Sequence, residues 1–265
     1  MMKKRKMGLT ATVLVLLMLV STSVCFAETD VKEATKTGII GAMDVEVNTL
    51  KEALEEKSIS TIAGMEFCEG RLDGADVVVV KCSVGKVNAA ACTQILIDRF
   101  GVDRIINTGV AGSLDASIDI GDIVVSTEAI QHDMDVTALG YARGEIPYSG
   151  KSVFPADEGM RACALEAVKA AAPEVHAFEG RVCSGDQFIS SHEQKDSIIS
   201  SVGGLCCEME GAAIAQVCSL NGTPFVILRA ISDKADDSAE MSYAEFEQAA
   251  AENCAAITRY MIAHQ

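Results

Sequence analysis

TPFVILRAISD, from Thr223 to Asp233, is the stretch that decides the fold class of this chain. It is an almost unbroken apolar run, which is typical of a strand buried on both faces of a sheet. Strands of this kind belong to parallel sheets that helices cover on both sides. The rest of the chain contains the helical patterns that could cover such a sheet, and further strand-like patterns that could form it.

Strand-like and helix-like patterns alternate along the rest of the chain. The strand-like segments are 37–43, 65–82 with a hairpin turn at Asp73-Gly74, 103–112, 121–130 and 179–190. The helical patterns are DVEVNTLKEALEEK (44–57) and segments 84–100, 156–172 and 242–264. This alternation predicts a single three-layer α/β domain over residues 28–265, with a mixed, largely parallel central sheet flanked by helices.

The first 27 residues have the pattern of a secretory signal peptide. MMKKRK carries four positive charges, an apolar run centred on ATVLVLLMLV follows, and VCFA precedes Glu28. We therefore expect export to the periplasm, the cell surface or the medium, with cleavage after Ala27. Removal of these four positive charges takes the formal net charge from -16 to -20. An uncleaved membrane anchor is a less favoured interpretation, and a lipoprotein signal at Cys25 fits its neighbours poorly.

Composition excludes several classes of function. The strong negative charge, the absence of Trp and an aromatic content of 5% argue against a nucleic-acid partner. Nine of the ten cysteines follow the predicted cleavage site, none forms C-x-x-C, and most lie in apolar patterns. A disulfide framework is therefore not expected, although one or two bridges remain open. No histidine pairs with a cysteine at metal-ligand spacing, so neither a metal nor a cofactor is predicted.

Polar residues follow several of the predicted strands, where ligands bind in open α/β sheets. These positions are Glu46, NTGVAGS (107–113), GDQFIS (185–190), EMEG (208–211) and SDKADD (232–237). Each has an ordinary structural explanation. Glu46 could stabilise the first turn of its helix, and Asp233 could be a helix N-cap. NTGVAGS could be a tight turn, Phe188 could be a core residue, and Glu208 and Glu210 could be exposed to solvent.

Seven segments in order carry a family resemblance. They are GIIGAMDVEV, KCSVGKVNAA, IINTGVAGSL, HDMDVTALGY, SGDQFIS, CEMEGAAIAQVC and FVILRAISDKAD. Together they resemble the 5'-methylthioadenosine/S-adenosylhomocysteine nucleosidases of the nucleoside phosphorylase superfamily, from about Gly38 to the last helix. The resemblance implies hydrolysis of the N-glycosidic bond of both compounds, which releases adenine and a thioribose product.

The resemblance also implies roles for individual residues. Asp233 corresponds to the general acid and Glu46 to the base that activates water. The implied substrate contacts are Met209 and Glu210 to the ribose, Phe188, Ile189 and Ser232 to the purine, and Met43, Val84 and Val110 around the sugar and thioether. Leu139, Tyr141 and Pro147 match a segment that closes the neighbouring subunit's pocket in family dimers, so a homodimer is expected. Many relatives have Ser in place of Val110 and an aromatic residue in place of Leu139.

Three alternatives remain open. A phosphorylase would use phosphate in place of water, but Asn107-Thr108 stands where many phosphorylases of the superfamily carry an arginine before Gly109. A hydrolase of another adenine nucleoside, such as an aminofutalosine compound, would share both carboxyl groups. An exported, non-catalytic nucleoside-binding protein would not need an acid and a base together.

Overall fold

The computed structural model describes residues 35–264, and the strands of this part form one sheet. In chain order the elements are β1 (Lys36–Gly41), α1 (Asp44–Glu52), β2 (Glu55–Ile62), β3 (Met65–Leu72), β4 (Ala75–Lys81), α2 (Lys86–Phe100), β5 (Arg104–Ser113), β6 (Ile123–Gln131), a short 3₁₀ helix (Thr137–Leu139), β7 (Val153–Pro155), α3 (Glu158–Ala171), β8 (Ala177–Ser184), α4 (His192–Ser201), β9 (Cys206–Glu208), α5 (Gly211–Asn221), β10 (Phe225–Asp233) and α6 (Ala239–Ala263). The predicted signal peptide, residues 1–27, lies outside the described residues. Within them, no helix has the length and apolar character to span a membrane.

The predicted strand at Thr223–Asp233 is confirmed as β10, which is buried along its whole length. It pairs in parallel with β5 on one side and antiparallel with β6 on the other. The sheet order is β10-β6-β8-β9-β5-β1-β4-β3-β2, and β10 also pairs with β5. The five strands β5, β10, β6, β8 and β9 therefore form a closed circuit, from which β1 to β4 extend. This mixed sheet brings the carboxyl ends of β1, β4, β5 and β10 to one edge.

Helices pack on both faces of the sheet, as the three-layer prediction requires. On one face, α1, α3 and α6 share a core with alternate sheet residues, represented by Leu50, Ala164 and Ile257. On the other face, α2 and α5 form a second core around residues such as Leu96 and Ile214. β10 contributes side chains to both cores, such as Ile227 to one and Leu228 to the other, which is why both of its faces are buried.

The helix predicted over 44–57 is wrong at its end, because α1 stops at Glu52 and β2 begins at Glu55. All but the last residue of β2 are exposed, and the strand is held by antiparallel pairing with β3. Backbone pairing of an exposed edge strand leaves no hydrophobic periodicity in the sequence. The acidic residues Glu55 and Glu56 therefore look like a continuation of the helix.

The glycine-containing segment NTGVAGS also differs from its prediction as a tight turn. β5 continues through all seven residues to Ser113. Its backbone pairs with β10 from Ile105 to Gly112, so the partner strand keeps the segment extended.

The nine cysteines from Cys68 to Cys254 are all free thiols, and eight of them are buried. Burial raises the pKa of thiols such as Cys92 and Cys218. These residues therefore act as small apolar core residues rather than as a disulfide framework.

Candidate active site

A cavity of about 400 Å³ lies at the carboxyl-end edge of the sheet, where β1, β5 and β10 finish side by side. This volume suits a small-molecule ligand. Ten of the thirteen residues predicted for the site line the cavity: Met43, Glu46, Val84, Val110, Phe188, Ile189, Met209, Glu210, Ser232 and Asp233. They come from segments that are far apart in sequence, and the parallel strand order brings them together.

Glu46 is the third residue of α1, and its carboxylate links the start of this helix to the loop after β1 and to β5. One oxygen accepts hydrogen bonds from the backbone N–H groups of Ala42, at 2.6 Å, and Met43, at 3.0 Å. The other oxygen accepts from the N–H of Val110 at 3.1 Å. A side chain at Gly109 would collide with this carboxylate and with Arg229, so glycine is required at that position by close approach.

Burial raises the pKa of Glu46, while the nearby Arg229 and the three backbone donors oppose that effect. The predicted stabilisation of the first helical turn by Glu46 is therefore confirmed. The Met43 N–H, at the N-cap of α1, has no partner within the helix and donates to the Glu46 carboxylate instead. This role coexists with the position of Glu46 in the cavity wall.

Asp233 is the last residue of β10 and is directed by an irregularity in the strand. The register with β5 shifts between Ile231 and Asp233, which makes Ser232 an extra residue in the manner of a β-bulge. Ser232 and Asp233 therefore both line the cavity, although neighbouring strand residues ordinarily point to opposite faces. The Asp233 carboxyl accepts from the N–H of Ala235 at 2.8 Å and from the Ser232 hydroxyl at 2.9 Å. Burial outweighs both contacts and raises the pKa of Asp233.

Glu208 is bound to a buried arginine that the sequence analysis did not single out. Arg229, on β10, donates to the Glu208 carboxylate and to the Asn107 side chain at 2.6 Å. Glu208 also accepts from the Ser184 hydroxyl and from the N–H groups of Glu210, at 3.0 Å, and Gly211, at 2.7 Å. Both carboxylate oxygens of Glu208 thus have hydrogen-bond donors from the protein itself, and Glu208 stabilises the start of α5.

Glu210 differs from Glu208 in having free capacity to accept hydrogen bonds. One oxygen accepts from the N–H of Gly85 at 2.8 Å, and the other lies 3.8 Å from the Arg229 guanidinium. Burial and the adjacent Glu208 charge raise the pKa of Glu210, and Arg229 lowers it. Glu208 and Glu210 together raise the pKa of Arg229 against the opposing effect of burial, so the guanidinium stays charged.

The structure adds residues to the cavity that sequence reasoning missed. Tyr243, near the start of α6, donates its hydroxyl to the Met43 sulfur at 3.0 Å and meets the Phe188 ring edge-on, with centroids 5.8 Å apart. Glu240, one turn earlier, and Gln187 also line the cavity. Arg229 could have been found as the single positive charge within an apolar run, whereas nothing local marks Tyr243.

Leu139, Tyr141 and Pro147 do not line this cavity. They belong to a segment at the surface of the described chain, where Leu139 is 75% exposed. The Tyr141 ring meets the ring of Tyr148 edge-on, with centroids 6.4 Å apart, and Tyr148 is 98% exposed. The structure of one chain therefore leaves the predicted contact with a neighbouring subunit untested.

The arrangement suits acid-base chemistry on a small polar ligand. Three carboxyl groups with raised pKa values, Glu46, Glu210 and Asp233, face one cavity whose wall also carries aromatic and aliphatic side chains. Within residues 35–264, no group of three or more His, Cys, Asp or Glu side chains is arranged to hold a metal ion.

Comparison with known proteins identifies the superfamily of this chain. The family model of the phosphorylase superfamily matches residues 36–263. Since the match covers most of the chain, this protein belongs to the phosphorylase superfamily.

The nearer relatives narrow the assignment. The chain is 43% identical over 231 residues to the 5'-methylthioadenosine/S-adenosylhomocysteine nucleosidase of Geobacillus thermodenitrificans. The aligned region covers 86% of this chain and 96% of the relative. Within the superfamily, the chain belongs with these nucleosidases.

Solved structures agree with this placement. The nucleosidase of Neisseria meningitidis in complex with methylthio-immucillin-A has a TM-score of 0.84 and 37% identity, covering 87% of this chain and 100% of that one. The Colwellia psychrerythraea nucleosidase in complex with adenine has a TM-score of 0.83 and 41% identity, with 87% and 95% covered. A futalosine hydrolase of Helicobacter pylori also matches, with a TM-score of 0.83 and 33% identity over 88% and 99% of the two chains.

Proposed function

We propose that this protein hydrolyses the N-glycosidic bond of 5'-methylthioadenosine and S-adenosylhomocysteine, releasing adenine and the thioribose product. The observation that carries the proposal is the presence of Glu46, Glu210 and Asp233, from three separate elements, in the wall of one cavity. Membership of the nucleosidase family supports the same reaction.

Asp233 is the general acid of the proposed reaction. Cleavage of the bond from the sugar carbon to adenine leaves the bonding electrons on the purine, which leaves readily only if a proton reaches its N7 atom. A carboxyl group whose pKa is raised by burial retains such a proton closer to neutrality than an exposed aspartate does. The contacts from Ala235 and Ser232 hold the carboxyl in place.

Glu46 is the base that removes a proton from the attacking water as the water oxygen bonds to the sugar carbon. Its raised pKa brings a carboxylate nearer to the operating pH, where a general base is most effective. Three backbone donors and the charge of Arg229 keep it ionised enough for that role. The paired carboxyl groups thus have opposite protonation states, as inverting glycoside hydrolysis requires.

Substrate contacts follow from the remaining lining residues. The free acceptor capacity of Glu210 suits the two ribose hydroxyls, and Met209 beside it provides an apolar surface. Phe188, Ile189 and Ser232 line the same cavity as Asp233 and suit the purine, while Met43, Val84 and Val110 suit the sugar and thioether.

Water rather than phosphate is the nucleophile in this proposal. A phosphate dianion needs cationic partners, yet no lysine, arginine or histidine is among the described residues that line the cavity. Arg229, behind the wall, is already paired with Glu208 and close to Glu210. Dependence of turnover on added phosphate would overturn this assignment.

Two further features belong to the proposal. The protein forms a homodimer in which Leu139, Tyr141 and Pro147 complete the neighbour's pocket, a role that the exposure of Leu139 and Tyr148 supports. The protein is also exported, because residues 1–27 have the sequence of a signal peptide.

The test is release of adenine from 5'-methylthioadenosine by the purified protein, measured by ultraviolet absorbance with a coupled deaminase. S-adenosylhomocysteine and an aminofutalosine substrate serve as comparisons, since a futalosine hydrolase shares the fold. Absence of adenine from both thionucleosides would refute the proposal. Adenine release from the aminofutalosine substrate alone would favour the alternative.

A further inference from the structure

Glu240 places an unpaired negative charge at the mouth of the cavity. It lies in the first turn of α6, is exposed to solvent, and is the only exposed carboxyl group among the described cavity-lining residues. No hydrogen bond or ion pair engages its side chain within residues 35–264. The other lining carboxyls, Glu46, Glu208, Glu210 and Asp233, are all buried and hydrogen-bonded.

Among residues 35–264, no basic side chain lines the cavity beside Glu240. The described lining contains no lysine, arginine or histidine. The lysines that flank the Asp233 segment are engaged elsewhere: Lys195 donates to the carbonyl of Lys234 at 2.7 Å, and Lys234 pairs with Asp119 at 3.2 Å. A carboxylate on a bound ligand would find Glu240 but no cationic partner among the described residues with which the same chain lines the cavity.

The purine and ribose of an adenine thionucleoside are uncharged, so only the 5' substituent brings charge to the site. That substituent must extend towards the mouth, because the buried part of the cavity holds the carboxyls assigned to the glycosidic bond and the ribose diol. From this charge distribution we infer that Glu240 selects substrates by the charge of the 5' substituent, favouring neutral and ammonium-bearing tails over carboxylate-bearing ones. The inference rests on the proposed nucleosidase function and adds a specificity-determining residue to it.

The test compares two halves of the homocysteine tail. The 5'-aminopropylthio derivative of adenosine lacks the carboxylate, and the 5'-carboxypropylthio derivative lacks the ammonium group. The wild-type protein should show about two- to fivefold higher kcat/KM for the amine than for the carboxylate at low salt, the range expected for one exposed charge interaction. This preference should shrink as ionic strength rises.

Two substitutions assign the preference to Glu240. Glu240→Gln should bring the ratio towards one, and Glu240→Lys should invert it. Glu245→Gln and Glu245→Lys are the matched controls, because Glu245 is exposed on the same helix but does not line the cavity. The control variants should keep the wild-type ratio.

A ratio near one in the wild type, or a ratio unchanged by Glu240→Lys, would overturn the inference. Binding of both derivatives, measured by calorimetry, gives the same comparison without requiring turnover. Cleavage of 5'-methylthioadenosine by the wild type tests the proposed function separately. A nucleosidase without charge preference and a charge-selective protein without nucleosidase activity are thus distinguishable results.

Discussion

The Glu46 carboxylate and the Val110 N–H form a hydrogen bond of 3.1 Å between residues 64 positions apart in the chain. With the bonds from Ala42 and Met43, it connects the first turn of α1 to the loop after β1 and to β5. The carboxylate proposed as the catalytic base therefore also holds these segments together through hydrogen bonds. Substitution at this position should affect both activity and stability.

Glu46→Gln is expected to lower kcat by about a hundredfold or more, because the amide cannot take a proton from water. It should also lower the free energy of unfolding by about 1–3 kcal/mol, because its NH₂ group must face a backbone donor. Activity assays and urea unfolding measure the two effects. Glu52→Gln, exposed at the end of the same helix, should change neither. Near-normal turnover in Glu46→Gln would remove Glu46 from the mechanism.

Asp233→Asn is expected to lower kcat by about a hundredfold or more while keeping the local geometry. The asparagine oxygen can still accept from Ala235, and the Ser232 hydroxyl can turn to accept from the new amide. Kinetics with 5'-methylthioadenosine would check this. Retention of wild-type turnover would mean that the proton reaches adenine from another group.

The difference in stability between Asp233→Asn and the wild type should change with pH in a defined direction. The raised pKa of Asp233 means that the folded protein holds this proton more tightly than the unfolded chain. Stability contributed by the proton is present at low pH and is lost as pH rises through the folded-state pKa. The variant should therefore gain Tm relative to wild type as pH increases. The gain should appear above the pKa of an unfolded aspartate.

Asp73, whose pKa is lowered by Arg259, is the opposite case. Asp73→Asn should lose Tm relative to wild type as pH rises towards the pKa of an unfolded aspartate from below.

Arg229→Met should destabilise the fold by about 3–5 kcal/mol, because it leaves the Glu208 charge buried without its partner. Adding Glu208→Gln should recover part of that loss. The surface ion pair between Arg259 and Asp73 is the matched comparison, and Arg259→Met should cost about 1 kcal/mol or less. Denaturant unfolding of the four proteins measures the difference. Equal losses for the two arginine variants would contradict the account of Arg229.

Mixed dimers test the proposed sharing of pockets. Tyr141→Ala should raise KM for 5'-methylthioadenosine roughly tenfold, through loss of an aromatic wall in the neighbour's pocket. Mixing it with Asp233→Asn should give heterodimers with one intact pocket, because both lesions fall in the other one. Activity above the average of the two parents, measured with 5'-methylthioadenosine well below the wild-type KM, is the expected result. Activity no higher than that average, after verified subunit exchange, would show that each pocket is built within one chain.

The proposed export requires removal of residues 1–27. Intact-mass analysis of the exported protein should give Glu28 as its first residue. A full-length cytosolic protein would refute the proposal, and a full-length membrane-bound protein would favour the anchor.

The sequence alone determined the fold class and most of the candidate site. The apolar run at Phe225–Asp233 and the hairpin signal at Asp73-Gly74 are local patterns, and a strand buried on two faces needs few other residues to be recognised. Glu46 and Asp233 attracted attention because they follow predicted strands, where ligands bind in such sheets. Their assignment to the site came from the family resemblance of the segments that contain them.

Only the tertiary structure decided how these residues are held. Three features depend on partners that are far away in the chain. They are the bulge at Ser232, the ion pair of Glu208 with Arg229 and the hydrogen bond from Tyr243 to the Met43 sulfur. The edge strand β2 depends in the same way on pairing with β3. Hydrophobic periodicity records which side chains avoid water, but it does not record which distant donor meets which acceptor. That information exists only once the strands have paired.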